Sequence, residues 1–547
     1  MRKPTLLKFF VALVMTAVAV QPTAIRGQNA AAIESQVDRI FEKWTSPETP
    51  GCSVGVSLDG RQVLTKAYGH ADLEHNVKND ADTVFEAGSV SKQFTAAAVL
   101  LLARDGKLSL DDPVRKYIPE LPDYGAPLTI RHMLHHMSGL RDWGSVAGIM
   151  GWPRTSRVHT HAHVLEIVGK QKTLNFPSGT RYSYSNTGYN LSAILVSRVS
   201  GMSFAEFCKK RIFEPLGMTR TSWRDDHTRI VKGRAIAYND EADGFHTNMP
   251  FEKVHGNGGL LTTVGDLLKW NDNFVNPKVG DAAFIALQQT PGKFNDGRVQ
   301  GYAFGLQVAN YKGVREVGHS GSTAGYRAHL VRYPDQRVGV AVLCNVSSGQ
   351  ASQYAHAVAD LYLASNLKPS AAPVAKHTLT PAELQATTGL YKNKFTGEAL
   401  NITALNGALR AGNAALIAQS ASSFVTTNGQ TWEIGNGAVR VTDQYGTVDN
   451  YERTTAARPT PDQLRQYAGT YMSDDAETVL TVAVEGQNLV IKRRPDTTLR
   501  LTPIYPDAFS GLGTVIFRRD ASGRPTEFSV VQDRVWDMRF KRQGAGS

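Results

Sequence analysis

Three short segments of the chain carry residues that can do chemistry together: Ser89-Val90-Ser91-Lys92, Tyr184-Ser185-Asn186 and His319-Ser320-Gly321. They follow one another with about 95 and 135 residues between them. Ser89 comes after Phe85-Glu86-Ala87-Gly88 and opens an apolar stretch with helical spacing. A serine at a helix N-terminus sits among free backbone N–H groups, in a field that favours a developing negative charge. Lys92 lies one turn further on the same face, where a buried amine can serve as base. Tyr184 can relay a proton, and a lysine cation beside it would lower its pKa. Asn186, two residues on in an extended segment, can reach a substrate carbonyl and brace the lysine. His319 and Gly321 lie in a glycine-rich strand, read as an edge strand, that lets a substrate backbone approach. The backbone N–H groups of Ser89 and Ser322 would then form an oxyanion hole. Each segment alone reads equally well as a helix cap, a turn or a glycine-rich hairpin. The three in order point to a serine nucleophile that forms an acyl-enzyme. Tyr182 competes with Tyr184 but lacks the asparagine two residues on.

The elements around these segments predict an α+β domain over residues 30–366. Ser53–Leu58 and Gln62–Ala67 read as strands joined by Asp59-Gly60, and His329–Tyr333 and Val338–Cys344 read as a hairpin around Pro334-Asp335. Between them lie helical stretches at 92–105, 130–137, 190–200 and 204–212, after a first helix at 33–44. Strands at both ends with helices between predict one antiparallel sheet closed from both termini and flanked by helices. Residues 367–379 have linker composition. Beyond them the chain repeats itself at an offset of 80 residues: Thr380-Pro381-Ala382-Glu383-Leu384 and Gly389-Leu390-Tyr391 recur as Thr460-Pro461-Asp462-Gln463-Leu464 and Gly469-Thr470-Tyr471. Each copy continues as short alternating strands, which predicts two small antiparallel β-barrels, at 380–456 and 457–547.

Residues 1–28 read as a secretory signal: Arg2, Lys3 and Lys8, then the apolar run Phe9–Val20, then small and polar residues. The expected location is therefore secreted or periplasmic, with no integral span after cleavage. The net charge is +11, and four of the cations (Arg2, Lys3, Lys8 and Arg26) belong to that leader. The remainder are scattered, which argues against nucleic acid as a partner. Cys52, Cys208 and Cys344 are far apart and odd in number, so buried free thiols are expected. His132 and His136 are spaced i, i+4, and His159, His161 and His163 alternate with Glu166 as the one carboxylate nearby in sequence; no metal is assigned to either set. The chemistry needs no cofactor.

These motifs resemble those of the serine β-lactamase and penicillin-recognising family, in the branch of class C β-lactamases, DD-carboxypeptidases, D-aminopeptidases and esterases. The resemblance spans residues 45–345 and includes Met137-Ser138-Gly139-Leu140, 213–218 and 256–270. It implies a β-lactamase/transpeptidase-like catalytic domain with Ser89 as nucleophile, Lys92 as base, Tyr184 as proton shuttle and Asn186 on the carbonyl. Class C β-lactamases have Lys-Thr-Gly where this chain has His-Ser-Gly, so a mostly neutral imidazole replaces a fixed cation. Amide or ester hydrolysis of small or peptide substrates is expected over β-lactam or D-alanyl carboxypeptidase chemistry. A penicillin-binding sensor that acylates without turnover is the non-enzymatic alternative. Two appended barrels resemble D-aminopeptidases, in which a loop of the first barrel reaches the active site; Asp443 and Asp449 are the matching candidates for a substrate ammonium.

Overall fold

The computed structural model describes residues 23–368 and 373–544; the expected leader and the middle of the linker fall largely outside them. A helix, α1 (Thr23–Ile40), leads into strands β1 (Cys52–Leu58) and β2 (Arg61–Tyr68). The helices α2 (Lys92–Arg104), α3 (Asn186–Ser200) and α4 (Val264–Asp272) follow. The chain then returns through β3 (Gln307–Tyr311), β4 (Val314–Thr323), β5 (Tyr326–Tyr333) and β6 (Val338–Cys344), and ends the domain with α5 (Ala351–Leu363). The six-stranded sheet has the order β3-β4-β5-β6-β1-β2, antiparallel throughout. First and last strands thus meet in its middle, as the α+β reading expects.

Helices cover both faces, so β6 is buried at every position from Val338 to Cys344. Val338, Val340 and Val342 join α1 and α5 in one core cluster through Val37, Val358 and Leu363. Ala341 and Leu343 face the larger cluster with Leu267 and Leu268 of α4. On β1 the residues toward α4 are small, and a Cβ on Gly55 would come within 2.8 Å of Leu268. That lets α4 lie directly on the strand.

The cysteine expectation is overturned. Cys52 on β1 stands opposite Cys344 on β6, and the two form a disulfide; only Cys208 is free, and it is buried. The pairing joins residues 292 apart in sequence, which no spacing rule reveals.

The repeat forms two closed eight-stranded barrels, one from Gly389–Asn393 to Val448–Thr454 and one from Gly469–Ser473 to Val535–Arg542. Each is preceded by a short helix capped by Thr380 or Thr460, whose side chain accepts the N–H of Glu383 or Gln463. The repeated Gly-x-Tyr has a structural reason. Tyr391 and Tyr471 sit where first and last strands close each barrel, opposite Arg453 and Arg542. Gly389 and Gly469 have φ of +146° and +154°, and a Cβ at either would collide with that arginine at 2.6 or 2.9 Å.

The second barrel is bound to the catalytic domain through Arg141, whose side chain is 2% exposed. It donates to Asp475 at 2.9 Å, Gln171 at 3.0 Å, Thr173 at 2.9 Å and the Asp537 carbonyl at 3.2 Å. Removing one partner of a buried ion pair strands the other. Arg141→Ala is therefore expected to cost about 3 kcal/mol, read as a lowered midpoint in urea unfolding.

Candidate active site

Ser89 sits on a 3₁₀ turn, Gly88–Ser91, that runs straight into α2. The turn is braced by Ser91, whose Oγ donates to the Gly88 carbonyl at 2.6 Å and accepts the Leu260 N–H at 3.1 Å. Strand β4 passes against it with almost no clearance: a Cβ on Gly88, where φ is +51°, would lie 2.6 Å from the Ser322 nitrogen, and one on Gly321 would lie 2.0 Å from the Ala87 carbonyl oxygen. Those two glycines let the Ser89 and Ser322 amides stand side by side, as an oxyanion hole requires. The strand is not an edge strand along its length. β3 covers it up to Gly318, and only from His319 onward is that side open.

Lys92 is wholly buried. Its Nζ is 3.1 Å from Ser89 Oγ, 2.9 Å from Asn186 Oδ1 and 2.7 Å from the Asn257 carbonyl oxygen. Burial, reinforced by the charge of Arg534, pushes its pKa well below the ordinary lysine value. A neutral amine has two N–H bonds and one lone pair. Asn186 Oδ1 and the Asn257 carbonyl can only accept, so they take both N–H bonds and the lone pair is left for the Ser89 hydroxyl.

Tyr184 departs from the expectation of a lowered pKa. Burial raises it, outweighing a hydrogen bond to Ser89 and the field of Arg534. The phenol keeps its proton. The Lys92 Nζ lies 4.8 Å from the Tyr184 ring centre. Asn186 is not in an extended segment: it is the first residue of α3, and its N–H donates to Asp142 Oδ2 at 2.8 Å.

His319 does not reach Tyr184 with a hydrogen bond. Its Nδ1–H donates to the Ser320 carbonyl at 2.5 Å and its Nε2 accepts from the Tyr302 hydroxyl at 2.9 Å. Burial first, then the Lys92 charge, brings its pKa down to about 3, so the ring is neutral.

Sequence reasoning missed Tyr302, Asn257, Asp142, His136 and Arg534. His136, with φ of +58°, accepts the Ser185 N–H at 3.2 Å and lies 4.2 Å ring to ring from Tyr184. It supports the tyrosine instead of pairing with His132, which caps its own helix at Thr129. His161 and His163 begin a helix and are not extended. Neither aspartate of the first barrel faces the cleft as a free acid. Asp443 accepts the N–H groups of Tyr445 and Thr447 in its own turn, and Asp449 pairs with Arg181 at 2.9 Å. The second barrel reaches the cleft instead. Between its strands β7 (Pro525–Gln532) and β8 (Val535–Arg542), Arg534 lies with its guanidinium 4.9 Å from the Tyr184 ring centre. The cleft has a volume of about 720 Å³, and Ser89, Tyr184, Asn186, His319, Ser322 and Arg534 all line it.

The site thus sets a buried amine beside a serine at a helix N-terminus, with a strand amide alongside. The Beta-lactamase family matches residues 36–364, and the chain belongs to that family of serine hydrolases. It is 29% identical over 316 residues to penicillin-binding protein 4* of Bacillus subtilis, covering 53% of this chain and 67% of that one. The D-aminopeptidase of Gluconobacter oxydans is 29% identical over 297 residues, and the match covers 54% of this chain and 56% of that protein. With the D-aminopeptidase of Brucella ovis the identity is 26%, over 90% of this chain and 96% of that one. Among solved structures, the octameric penicillin-binding protein homologue of Pyrococcus abyssi aligns with a TM-score of 0.54 at 26% identity, covering 78% of this chain and 100% of that one. D-amino acid amidase from Ochrobactrum anthropi SV3 shares the fold, with a TM-score of 0.53 at 22% identity over 61% of this chain and 99% of its own.

Proposed function

We propose that the protein is an exported serine hydrolase that cleaves amide or ester bonds of small or peptide substrates through an acyl-enzyme. The observation that carries this is the bonding of Lys92, which leaves a lone pair facing the Ser89 hydroxyl. The amine takes the hydroxyl proton as Oγ attacks the substrate carbonyl. The oxyanion is held by the Ser89 and Ser322 N–H groups. The proton passes from Lys92 through the Tyr184 hydroxyl to the leaving atom, and water then releases the acyl group by the reverse path. The kinship with D-aminopeptidases supports a peptide-like substrate with a D-residue at the scissile bond. Export is supported by the N-terminal leader pattern and by the Cys52–Cys344 disulfide, a bond at home in oxidising compartments.

The test is a panel of D- and L-aminoacyl p-nitroanilides, a p-nitrophenyl ester and a chromogenic cephalosporin, with intact-mass detection of the acyl adduct. Turnover of the D-amide with an adduct mapped to Ser89 is the expected result. An adduct that persists without turnover would establish the sensor reading. Cephalosporin turnover alone would establish the β-lactamase reading, which the four arginines lining the cleft, Arg154, Arg224, Arg327 and Arg534, favour. No adduct and no turnover would refute the proposal.

A further inference from the structure

We propose that Tyr302 is a positioning residue of the active site that acts through His319: its hydroxyl holds the imidazole so that the Nδ1–H closes the Ser320 carbonyl of the oxyanion strand. His319 is thereby a strut of that strand and not a contact for the substrate. The inference rests on the serine-hydrolase reading above and concerns the same site.

The proton positions follow from the partners. A carbonyl oxygen only accepts, so the 2.5 Å contact between His319 Nδ1 and the Ser320 carbonyl puts the ring's hydrogen on Nδ1. A neutral imidazole has one N–H, so Nε2 is an acceptor and the Tyr302 hydroxyl, 2.9 Å away, is its donor. The Tyr189 hydroxyl does not compete, because it donates to the Leu134 carbonyl at 2.6 Å. Both ring nitrogens are then engaged within the protein, and neither an N–H nor a lone pair is left for a substrate. The titratable groups around the ring are Tyr184, Tyr302, Lys92, His136 and His329, and no carboxylate is among them.

The strand shows what this bond does. The Val308 N–H of β3 turns away from β4 to the Gly301 carbonyl, at 2.8 Å, so the ladder bonds between the two strands fall at the neighbouring pair, Gln307 and Gly318. Main-chain groups of alternate residues point to the same side of a strand, so those of Gly318, Ser320 and Ser322 share that side. β3 covers Gly318, and the oxyanion amide belongs to Ser322. Ser320 lies between them on the open edge, where a substrate main chain could pair out of register. His319 fills its carbonyl and so ties down the peptide two residues before the oxyanion amide. Tyr302 is itself held by a closed set of bonds. Its carbonyl accepts the His135 Nδ1–H at 3.0 Å, its N–H donates to Gln300 Oε1 at 2.9 Å, and Gln300 Nε2 donates to the His135 carbonyl at 2.9 Å. All three residues are buried. A Cβ on Gly292 would come within 2.6 Å of Gln300 Nε2 and 2.9 Å of the His135 ring, so glycine makes room for them. A buried polar network is costly unless it is complete, and this one ends at the Tyr302 hydroxyl.

The test is a double-mutant cycle in the full chain on a p-nitrophenyl ester, with Tyr302→Phe, His319→Ala and both together. Tyr302→Phe is expected to lower kcat about tenfold with KM nearly unchanged, the scale of one lost buried hydrogen bond felt in the transition state. His319→Ala costs at least as much, and adding Tyr302→Phe to it costs little further, because the two act as one unit. Additive losses, a loss confined to KM, or a Tyr302→Phe variant as active as wild type overturns the proposal. A second measurement needs no substrate and decides the matter if a variant fails to fold: heteronuclear NMR spectra of histidine-labelled wild type between about pH 5 and pH 9. The His319 ring is expected to stay neutral with its hydrogen on Nδ1, and a protonated ring or an Nε2–H tautomer overturns the proposal. Failure of the underlying reading shows differently: ester turnover that survives Ser89→Ala, or none by wild type, defeats that reading and the role in catalysis with it, whereas additivity in the cycle defeats this proposal alone.

Discussion

Ser89→Ala is expected to lower kcat/KM on any substrate by at least about 10⁴-fold while leaving the unfolding temperature within a degree or two of wild type. The two halves of that expectation have separate causes. Ser89 Oγ is the hydroxyl held against the Lys92 amine, and in the proposed mechanism its removal leaves only binding and the oxyanion amides to act on a substrate. A loss of this size corresponds to about 5.5 kcal/mol of transition-state stabilisation. The turn that carries the residue does not depend on its side chain. Ser91, not Ser89, bonds the Gly88 carbonyl and the Leu260 amide, and alanine at position 89 keeps the β-carbon. Kinetics with a chromogenic ester and a thermal melt of the same sample decide it. Residual activity above about 1% of wild type would move the nucleophile elsewhere.

Lys92→Met is expected to cost about 10³-fold in kcat/KM, the scale of a lost general base. Its pH signature identifies the role. In wild type the active form has an uncharged Nζ, so kcat/KM should rise with pH through a Lys92 pKa that burial places well below 10.5. The variant's residual rate should lack that limb. Stability should follow the same titration. Between the depressed folded pKa and the unfolded value of about 10.4, the unfolded chain binds one more proton than the native chain. The contribution of Lys92 therefore strengthens as pH rises through that window and is complete above it. The stability difference between wild type and Lys92→Met should shift in favour of wild type on going from pH 6 to pH 9 in urea titrations. A constant difference would mean that Lys92 stays charged in the native protein, and the base would have to be sought elsewhere.

The parts of the molecule that could be read in advance are those encoded within a few residues of one another. The Ser89–Lys92 turn is one, and the 80-residue repeat behind the barrels is another. The sheet closed from both termini was also legible, because β1, β2, β5 and β6 announce themselves as hairpins. The Cys52–Cys344 bond was not legible, because it depends on which strands become neighbours and in what register, and both are set by packing of the whole sheet. Arg534 was invisible for a stronger reason. It sits in an ordinary turn between two strands, and only the docking of the barrel through Arg141, Asn175 and Asp142 brings it to the cleft. The tyrosine expectation failed on energetics, because burial raises the phenol's pKa by more than its hydrogen bond to Ser89 and the field of Arg534 lower it. His136 was noticed for its spacing to His132, yet its left-handed backbone turns it under Tyr184.

The bond between Cys52 and Cys344 makes the catalytic domain a covalent ring. The nucleophile, the lysine, the tyrosine and the oxyanion strand all lie on the stretch it encloses. A protease that nicks any single loop of that stretch opens the ring without dividing it, so the domain keeps its full mass until a reductant is added. In an oxidising compartment a chain so nicked would still hold these candidate groups together.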